Sequence, residues 1–396
     1  MSNEKTVVLG VCGGIAVYKA LDVISRLRKQ NVNVHVIMTK SATEFVTPLS
    51  FQSLSQNMVI TDMFAEPKAW EIQHISLAKK ADLMVIVPAT ANIIGKVANG
   101  IADDMLSTTI MATPAPVVFA PAMNTNMYKN PIVQDNISKL KGLGYDFISP
   151  ASGRLACGDV GDGKLQDTEI ITEIILSKLN NTKDLVGKKV LVTAGPTIAP
   201  IDPVRYITNG SSGKMGYEIA KEARDRGAEV TLISGPSNLE VPFGVNFIKV
   251  KINEEMYTEA VKHFDHCDIA ISSAAVADYK IKCYSDKKIK KNDGDLVLEF
   301  TRDRDILKSL GAKKKDQILV GFAAESNDLI ENAIGKIEKK NLDYIVANDI
   351  MDSNAGFAKD TNKVTIIKKD KTLIPLDVMS KRQVAKNLFD IIINNK

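Results

Sequence analysis

The chain has 396 residues, of which 45% are apolar and 25% charged, and a net charge of +4. That size holds two or three domains, and that balance excludes a disordered or fibrous chain and fits a globular enzyme. No apolar run is long enough to span a bilayer, and the opening MSNEKTVVLGV has no basic segment followed by a cleavable apolar stretch, so neither membrane nor signal peptide is expected.

The first half opens with TVVLGVCGGIAVYKALDVISRLRKQNVNVHVIMT (6–39), which reads strand, glycine-rich turn, amphipathic helix, strand; Ala20, Val23, Ile24 and Leu27 recur at helical spacing. ADLMVIVPAT (81–90) and PVVFAPAMN (116–124) read as further buried strands. Strands alternating with helices imply a parallel sheet covered on both faces, with ligands beyond the carboxyl ends of the strands. Those ends are VCGG, MTKSA, PATAN and PAMN. Gly13 and Gly14 at a helix start and Thr39 after a strand suit one phosphate held by backbone N–H groups. No acidic residue ends the second strand where a dinucleotide ribose would need one, so a mononucleotide such as FMN fits better.

Three side chains of this half are candidates for chemistry. His74, in EIQHISLAKKAD, starts a predicted helix, where an acid–base role competes with a structural one. Cys157 lies in SGRLACGDVGDGKL (152–165), whose four glycines read as a flap; a thiol there is better placed for chemistry than one in a core. Asn124, after PAM, could hold a carboxylate or an amide, or simply form a turn. The four cysteines, Cys12, Cys157, Cys267 and Cys283, form no CxxC pair, which argues against zinc and disulfides and for a reducing cytoplasm.

The pattern restarts with KKVLVTAGP, a helix over 215–226, and AEVTLISGP (228–236). CDIAISSAAV (267–276), QILVGFAAE (317–325) and LDYIVAND (342–349) follow as strands, and NNTKDLVGK (180–188) reads as the linker. The fold class expected is therefore α/β, with two doubly wound parallel-sheet domains at 1–183 and 187–396. In ITNGSSGKMG (207–216), Gly210, Gly213 and Gly216 stand three apart. The run is not a Walker loop, because Thr208 replaces its first glycine and Met215 follows the lysine. It is not G-x-G-x-x-G either, so it predicts an anion site without naming the anion. Asp278, in SSAAVADY, follows a strand and could hold a ribose or a metal ion. In KKIKK (287–291), Lys288 and Lys290 share one face, as a triphosphate clamp or as a solvated edge. The positive excess falls in this half, in KIKCYSDKKIKK (280–291) and KKK (313–315), but only Tyr279 and Tyr284 accompany those lysines. Nucleic acid binding would interleave more aromatics, so no nucleic acid partner is expected. An NAD(P)-dependent oxidoreductase of two domains is the alternative reading, and it lacks its dinucleotide loop.

Together the segments resemble one family. PATAN (88–92), PAMNTNMY (121–128) and ACGD (156–159) are similar to motifs of flavin-containing cysteine decarboxylases. RYITNGSSGKMG (205–216), AAVADY (274–279) and KIKK (288–291) resemble those of phosphopantothenate–cysteine ligases. Their order and spacing, over nearly the whole chain, resemble the bifunctional proteins of coenzyme A biosynthesis in which the two enzymes are fused. The resemblance implies a flavodoxin-like domain with FMN, then a Rossmann-like domain using CTP and Mg²⁺. The ligase would join cysteine to 4′-phosphopantothenate through an acyl-cytidylate. The decarboxylase would convert 4′-phosphopantothenoyl-cysteine to 4′-phosphopantetheine.

By the same resemblance, His74 assists the oxidative decarboxylation, Asn124 binds the cysteine carboxylate and Cys157 protonates the enethiol. Gly13, Gly14, Thr39, Thr90, Asn92 and Asp103 would hold FMN. Lys288 would form the acyl-cytidylate and Asn209 turn it over, while Asp278, Asp305, Ile306, Leu307, Phe322, Lys336 and Lys340 contact the nucleotide. The metal ligands stay unassigned. Homo-oligomers built on trimers, up to a dodecamer, are implied. Two positions depart from the family's pattern. Tyr128 replaces a tryptophan, which implies altered packing, and Arg304 replaces a proline, which implies a different turn.

Overall fold

The computed structural model describes residues 4–64, 72–156, 158–180, 182–290, 296–325, 329–349 and 359–394. They divide into two compact units, Met1–Asn180 and Asn181–Lys396.

The first unit begins β1 (Thr6–Val11), α1 (Val17–Lys29), β2 (Asn33–Met38), α2 (Lys40–Thr43), α3 (Pro48–Ser55) and β3 (Val59–Ile60). It continues α4 (Gln73–Lys80), β4 (Leu83–Ala89), α5 (Ala91–Ala98), α6 (Met105–Ala112), β5 (Val117–Pro121), α7 (Thr125–Lys129), α8 (Pro131–Gly142) and β6 (Asp146–Phe147). The strands are parallel, in the order β3-β2-β1-β4-β5-β6. Without the two-residue edge strand β3 this is the flavodoxin order, and the winding reverses between β1 and β4. All seven residues of β4 are buried, because helices cover both faces of the sheet. On one face α1 buries Val17, Ala20, Val23, Ile24 and Leu27, the periodicity read from the sequence. On the other, Leu77, Ile93, Ile94, Leu106, Ile110 and Leu140 close a second core. A hairpin outside the sheet, β7 (Ala151–Arg154) and β8 (Val160–Lys164), precedes α9 (Thr168–Leu179), which packs on α1.

The second unit begins β9 (Lys189–Ala194), β10 (Ile198–Pro200), β11 (Tyr206–Thr208), α10 (Lys214–Asp225), β12 (Glu229–Ser234) and β13 (Asn246–Lys249). There follow α11 (Asn253–Phe264), β14 (Ile269–Ser272), β15 (Tyr279–Ile281), β16 (Phe300–Arg302), α12 (Ile306–Lys313) and β17 (Ile318–Glu325). Last come α13 (Leu329–Lys340), β18 (Tyr344–Asp349), β19 (Thr361–Lys368), β20 (Leu373–Ser380) and α14 (Lys381–Asn394). The eight-stranded sheet runs β13-β12-β9-β14-β17-β18-β19-β20, parallel up to β18 and antiparallel beyond it. The expected parallel sheet is thus extended by an antiparallel pair, whose half-buried alternation carries no long apolar run to announce it. Its parallel part has the dinucleotide-fold order, with the reversal between β9 and β14.

The segment expected as a linker is fastened from Lys183 onward. Lys183 donates to the Asp225 carbonyl at 2.6 Å, Asp184 pairs with Arg226 at 3.1 Å, and Leu185 is fully buried in a core of the second unit, with Val190, Ile219 and Leu388.

Candidate active sites

In the first unit the helices run back against the parallel strands, so their first turns lie at the carboxyl edge of the sheet. Thr39 caps α2 through the Ala42 N–H at 3.3 Å, and Thr90 caps α5 through the Ile93 N–H at 3.5 Å. Asn124 caps α7, accepting from the Asn126 N–H at 2.8 Å. His74, half-buried in the first turn of α4, belongs to the same edge. Gly13 packs so closely on Ser41 that a Cβ would stand 2.4 Å from the Ser41 Cβ, whereas Gly14 has open space beside it. Asn92 is exposed in the first turn of α5. Asp103 is tied to Lys96 at 2.6 Å, and Asp104, which caps α6, meets the same ammonium at 2.8 Å. Those two carboxylates hold the lysine above its usual range.

The hairpin β7–β8 lies on the loop that follows β5. The Met123 N–H donates to the Gly163 carbonyl at 2.9 Å, and Gly163 sits at φ 120°, where a Cβ would be 2.4 Å from the Met123 carbonyl oxygen. Only glycine tolerates both conditions. At the hairpin tip Asn124 donates from Nδ2 to Asp159 at 3.0 Å. Two motifs 35 residues apart, PAMN and ACGD, are therefore joined. Cys157 itself lies outside the described residues. Tyr128, at the variant position, packs half-buried against the second core, its backbone N–H on the Asn124 carbonyl.

In the second unit a cavity of about 450 Å³ opens at the carboxyl ends of β14, β17 and β18, beside the loop that leads into α10. It is lined by Asn209–Met215 and Ser272–Val276 together with Asp278, Arg304–Leu307, Phe322, Lys336 and Lys340. Every expected nucleotide-contacting residue except Lys288 is brought into this one cavity. The glycine-rich run does not follow β9 directly: the β10–β11 hairpin intervenes, and its last strand takes up Tyr206–Thr208. Gly213 caps α10 at φ 82°, and a Cβ on Gly216 would stand 2.5 Å from that of Ala194, so helix and strand close up here. Asn209 fastens the loop to the facing strand end through Nδ2, at 3.1 Å from the carbonyls of Ala275 and Val276. Asp305 caps α12 through the Lys308 N–H at 2.9 Å and pairs with Lys340 at 2.8 Å. Burial would raise its pKa, but these two donors outweigh it and hold the carboxyl below the usual range.

Lys288 is exposed and is not among the residues lining the cavity. Residues 287–290 form no strand, so the alternation expected of KKIKK is not realised there; the segment is held beside Lys288 instead, where Ile289 donates to the buried Asp202 at 3.1 Å and accepts from Arg205 at 2.8 Å. Arg205, with backbone N–H donors, keeps that carboxylate well below the usual range.

Several lining residues were not anticipated. Asn348 is the last residue but one of β18, a place that the carboxyl-end rule could have flagged. Asn362 and Lys381 also line the cavity, but they arrive with the antiparallel pair and the start of α14, so no local pattern points to them. Lys381 is buried and lowered to about 8, by desolvation first and by the Lys214 charge second.

Comparison with known proteins adds a family to each unit. The family model described as Flavoprotein matches residues 1–180, and that described as DNA/pantothenate metabolism flavoprotein C-terminal domain matches 185–395. Among the relatives is a coenzyme A biosynthesis bifunctional protein CoaBC from Bacillus subtilis (strain 168), 51% identical, with 97% of this chain and 96% of the relative covered. One of the same name from Borreliella burgdorferi (strain ATCC 35210 / DSM 4680 / CIP 102532 / B31) is 45% identical, covering 99% and 100%. A crystal structure of the C-terminal domain of a protein of that name is 41% identical, covering 53% of this chain and 96% of its own, with a TM-score of 0.47.

Proposed function

The chain belongs to the family of bifunctional coenzyme A biosynthesis proteins, and from that premise we propose how its two units divide the chemistry. It is an enzyme combining phosphopantothenoylcysteine decarboxylase with phosphopantothenate–cysteine ligase. We assign the ligase, using CTP, to the second unit and the decarboxylase, using FMN, to the first.

The observation that carries this reading is the second unit's cavity. It joins the loop from Asn209 to Met215 with Asp278, Asp305, Phe322, Lys336 and Lys340 at the point where the sheet's winding reverses. There the carboxylate of 4′-phosphopantothenate attacks the α-phosphorus of CTP and pyrophosphate leaves. The cysteine amine then displaces CMP from the acyl-cytidylate. Charge develops on the α-phosphate during attack, and fixed cations meet it; Lys336 and Lys340 supply them from the cavity wall, and Lys288 would join them from the segment outside the lining. The N–H groups at the start of α10 receive phosphate oxygens, and Asn209 holds the acyl-cytidylate for the second attack. Among the described residues no cluster of three or more His, Cys, Asp or Glu could hold a metal. That fits Mg²⁺ arriving on the triphosphate with a single protein carboxylate, for which Asp278 is the candidate.

For the first unit, the open space at Gly14 and the uncharged donors Thr39, Thr90 and Asn92 suit a mononucleotide with one phosphate. When bound, FMN supplies the electron sink that loss of an unactivated carboxylate requires. Asn124 orients the cysteine carboxylate, His74 assists oxidation of the thiol-bearing carbon of the cysteinyl side chain, and Cys157 gives a proton to the enethiol carbon left once CO₂ has gone. The Asn124–Asp159 hydrogen bond supports placing the flap carrying Cys157 over that carboxylate. A homo-oligomer built on trimers and a cytoplasmic setting complete the reading; no helix of the described residues is long and apolar enough to cross a membrane.

The test is incubation with 4′-phosphopantothenate, cysteine and CTP. Pyrophosphate, CMP and CO₂ should appear in equal amounts, and the purified protein should show a flavin spectrum. Pyrophosphate release indifferent to phosphopantothenate would overturn the ligase reading, and failure to release CO₂ from supplied 4′-phosphopantothenoyl-cysteine would overturn the decarboxylase reading.

A further inference from the structure

Asp278 and the turn Arg304–Leu307 lie on separate loops, 26 residues apart, yet both line the cavity. What joins them is the first turn of α11, which does not itself line it. Asn253, 2% exposed, opens that helix and donates from its one side-chain nitrogen to two carbonyls, Ala277 at 3.3 Å and Arg304 at 2.9 Å. The Ala277 peptide is gripped from its other side as well, since its N–H donates to the fully buried Thr197 hydroxyl at 2.8 Å. One residue later the Asp278 carbonyl accepts from the Asp303 N–H at 2.8 Å, a second link between the same loops. On the solvent side of the helix, Glu254 pairs with the Arg304 guanidinium at 3.1 Å, and that guanidinium lies over the Tyr257 ring, 4.3 Å from its centre.

We infer that Asn253 is a positioning residue for the ligase: acting through the backbone of Ala277 and Arg304, it sets the spacing between Asp278 and the Asp305–Leu307 turn that the nucleotide requires. The inference rests on the reading that these residues form the nucleotide end of the cavity. A second feature of Asn253 points the same way. Its Oδ1 is buried without a hydrogen-bond partner among the described residues, so the amide serves as a double donor only. The amide nitrogen is thus fully committed to the two carbonyls, and only the oxygen is left over. An apolar residue would fill the same space but would leave both carbonyls without this donor and could not hold them at a fixed separation.

The experiment compares Asn253→Ala, Asn253→Asp and Asp278→Asn in the full-length protein, following pyrophosphate release. Asn253→Ala should raise KM for CTP about tenfold, equivalent to about 1.4 kcal/mol. KM for 4′-phosphopantothenate and cysteine should stay within about twofold, and CO₂ release from supplied 4′-phosphopantothenoyl-cysteine should be unchanged. Asn253→Asp keeps the shape but replaces the donating nitrogen by an oxygen that both carbonyls repel, so it should raise KM for CTP at least as far as alanine does; a KM for CTP unchanged in both variants would leave Asn253 a space-filling residue. Should the buried variants fail to fold, Glu254→Ala on the exposed flank of the same turn should still raise KM for CTP about threefold, roughly 0.65 kcal/mol. If Asp278→Asn impairs CTP binding while the Asn253 and Glu254 variants do not, or if all three KM values rise together, this inference is overturned. If Asp278→Asn itself leaves CTP binding intact, the nucleotide-end reading falls, and the inference falls with it.

Discussion

Burial pushes the Cys12 thiol up to about 12, against hydrogen bonds from Thr90 that favour the thiolate. Burial, followed by the charge of Asp268, does the same for Cys267. Cys283 is exposed on the loop after β15. Because the thiolate is the reacting species, these three should differ widely in rate. Alkylation of the native protein near neutral pH, read by peptide mass mapping, should mark Cys283 early, the half-buried Cys267 more slowly, and Cys12 only after denaturant is added. Equal labelling of Cys12 and Cys283 in the native protein would contradict the packing around β1. Two ligase residues should separate in a similar way. Lys288→Gln should depress pyrophosphate release itself, by roughly a hundred- to a thousandfold, or about 2.7–4 kcal/mol, if the lysine meets charge on the α-phosphate. Asn209→Asp should let pyrophosphate run ahead of product, because a carboxylate beside the phosphoryl group mishandles the acyl-cytidylate after it has formed. Near-normal pyrophosphate release by Lys288→Gln would return KKIKK to a solvated segment.

Among the helices, α10 and α14 form the clearest mechanical pair. Their seam carries a buried ion network: Arg226, fully buried, pairs with Glu222 at 2.8 Å, Asp184 at 3.1 Å and Asp390, and donates to the Lys386 carbonyl at 3.1 Å. Arg382 adds Glu222 at 2.9 Å and Asp225. A buried ion pair broken on one side leaves the other charge stranded, so Arg226→Ala should cost about 3 kcal/mol or more in denaturant unfolding of the second unit. A loss well under 1 kcal/mol would mean that Arg382 alone neutralises the seam. The network matters to function through position. The α10 start faces the cavity and Lys381 at the α14 start lines it, so the pairing of the two helices fixes two of its walls.

At the scale of the whole molecule, each unit has its own sheet and its own pair of cores. The anchoring of Lys183, Asp184 and Leu185 to the second unit moves the best cut to the position after Asn180, ahead of the boundary expected at 183. Residues 1–180 made alone should be yellow and decarboxylate 4′-phosphopantothenoyl-cysteine, while 181–396 should release pyrophosphate with CTP. A colourless or insoluble first fragment beside a yellow full chain would show that the unit needs more than its own residues.

Much of this was legible before any tertiary structure. Alternating strands and helices gave two α/β units, because a strand buried on both faces must be uniformly apolar and a covering helix must repeat every three or four residues. Strand ends pointed to Thr39, Asn124 and Asp278 as candidates, because in a parallel sheet one edge collects every carboxyl end; Thr90, Asn92, Asp103, Asp305, Phe322, Lys336 and Lys340 came from the family resemblance. Other features have no local signal. Residues 361–380 alternate like any edge hairpin, and only their pairing with β18 makes the sheet mixed and carries Asn362 and Lys381 into the cavity. Asn253 reads as one more polar residue at a helix start, and its two carbonyl partners lie 24 and 51 residues away. Periodicity records which face of an element meets the core, since burial acts on each residue by itself. Which distant loops then meet is set by strand order and hydrogen bonds between backbone atoms, and those are alike in every residue type.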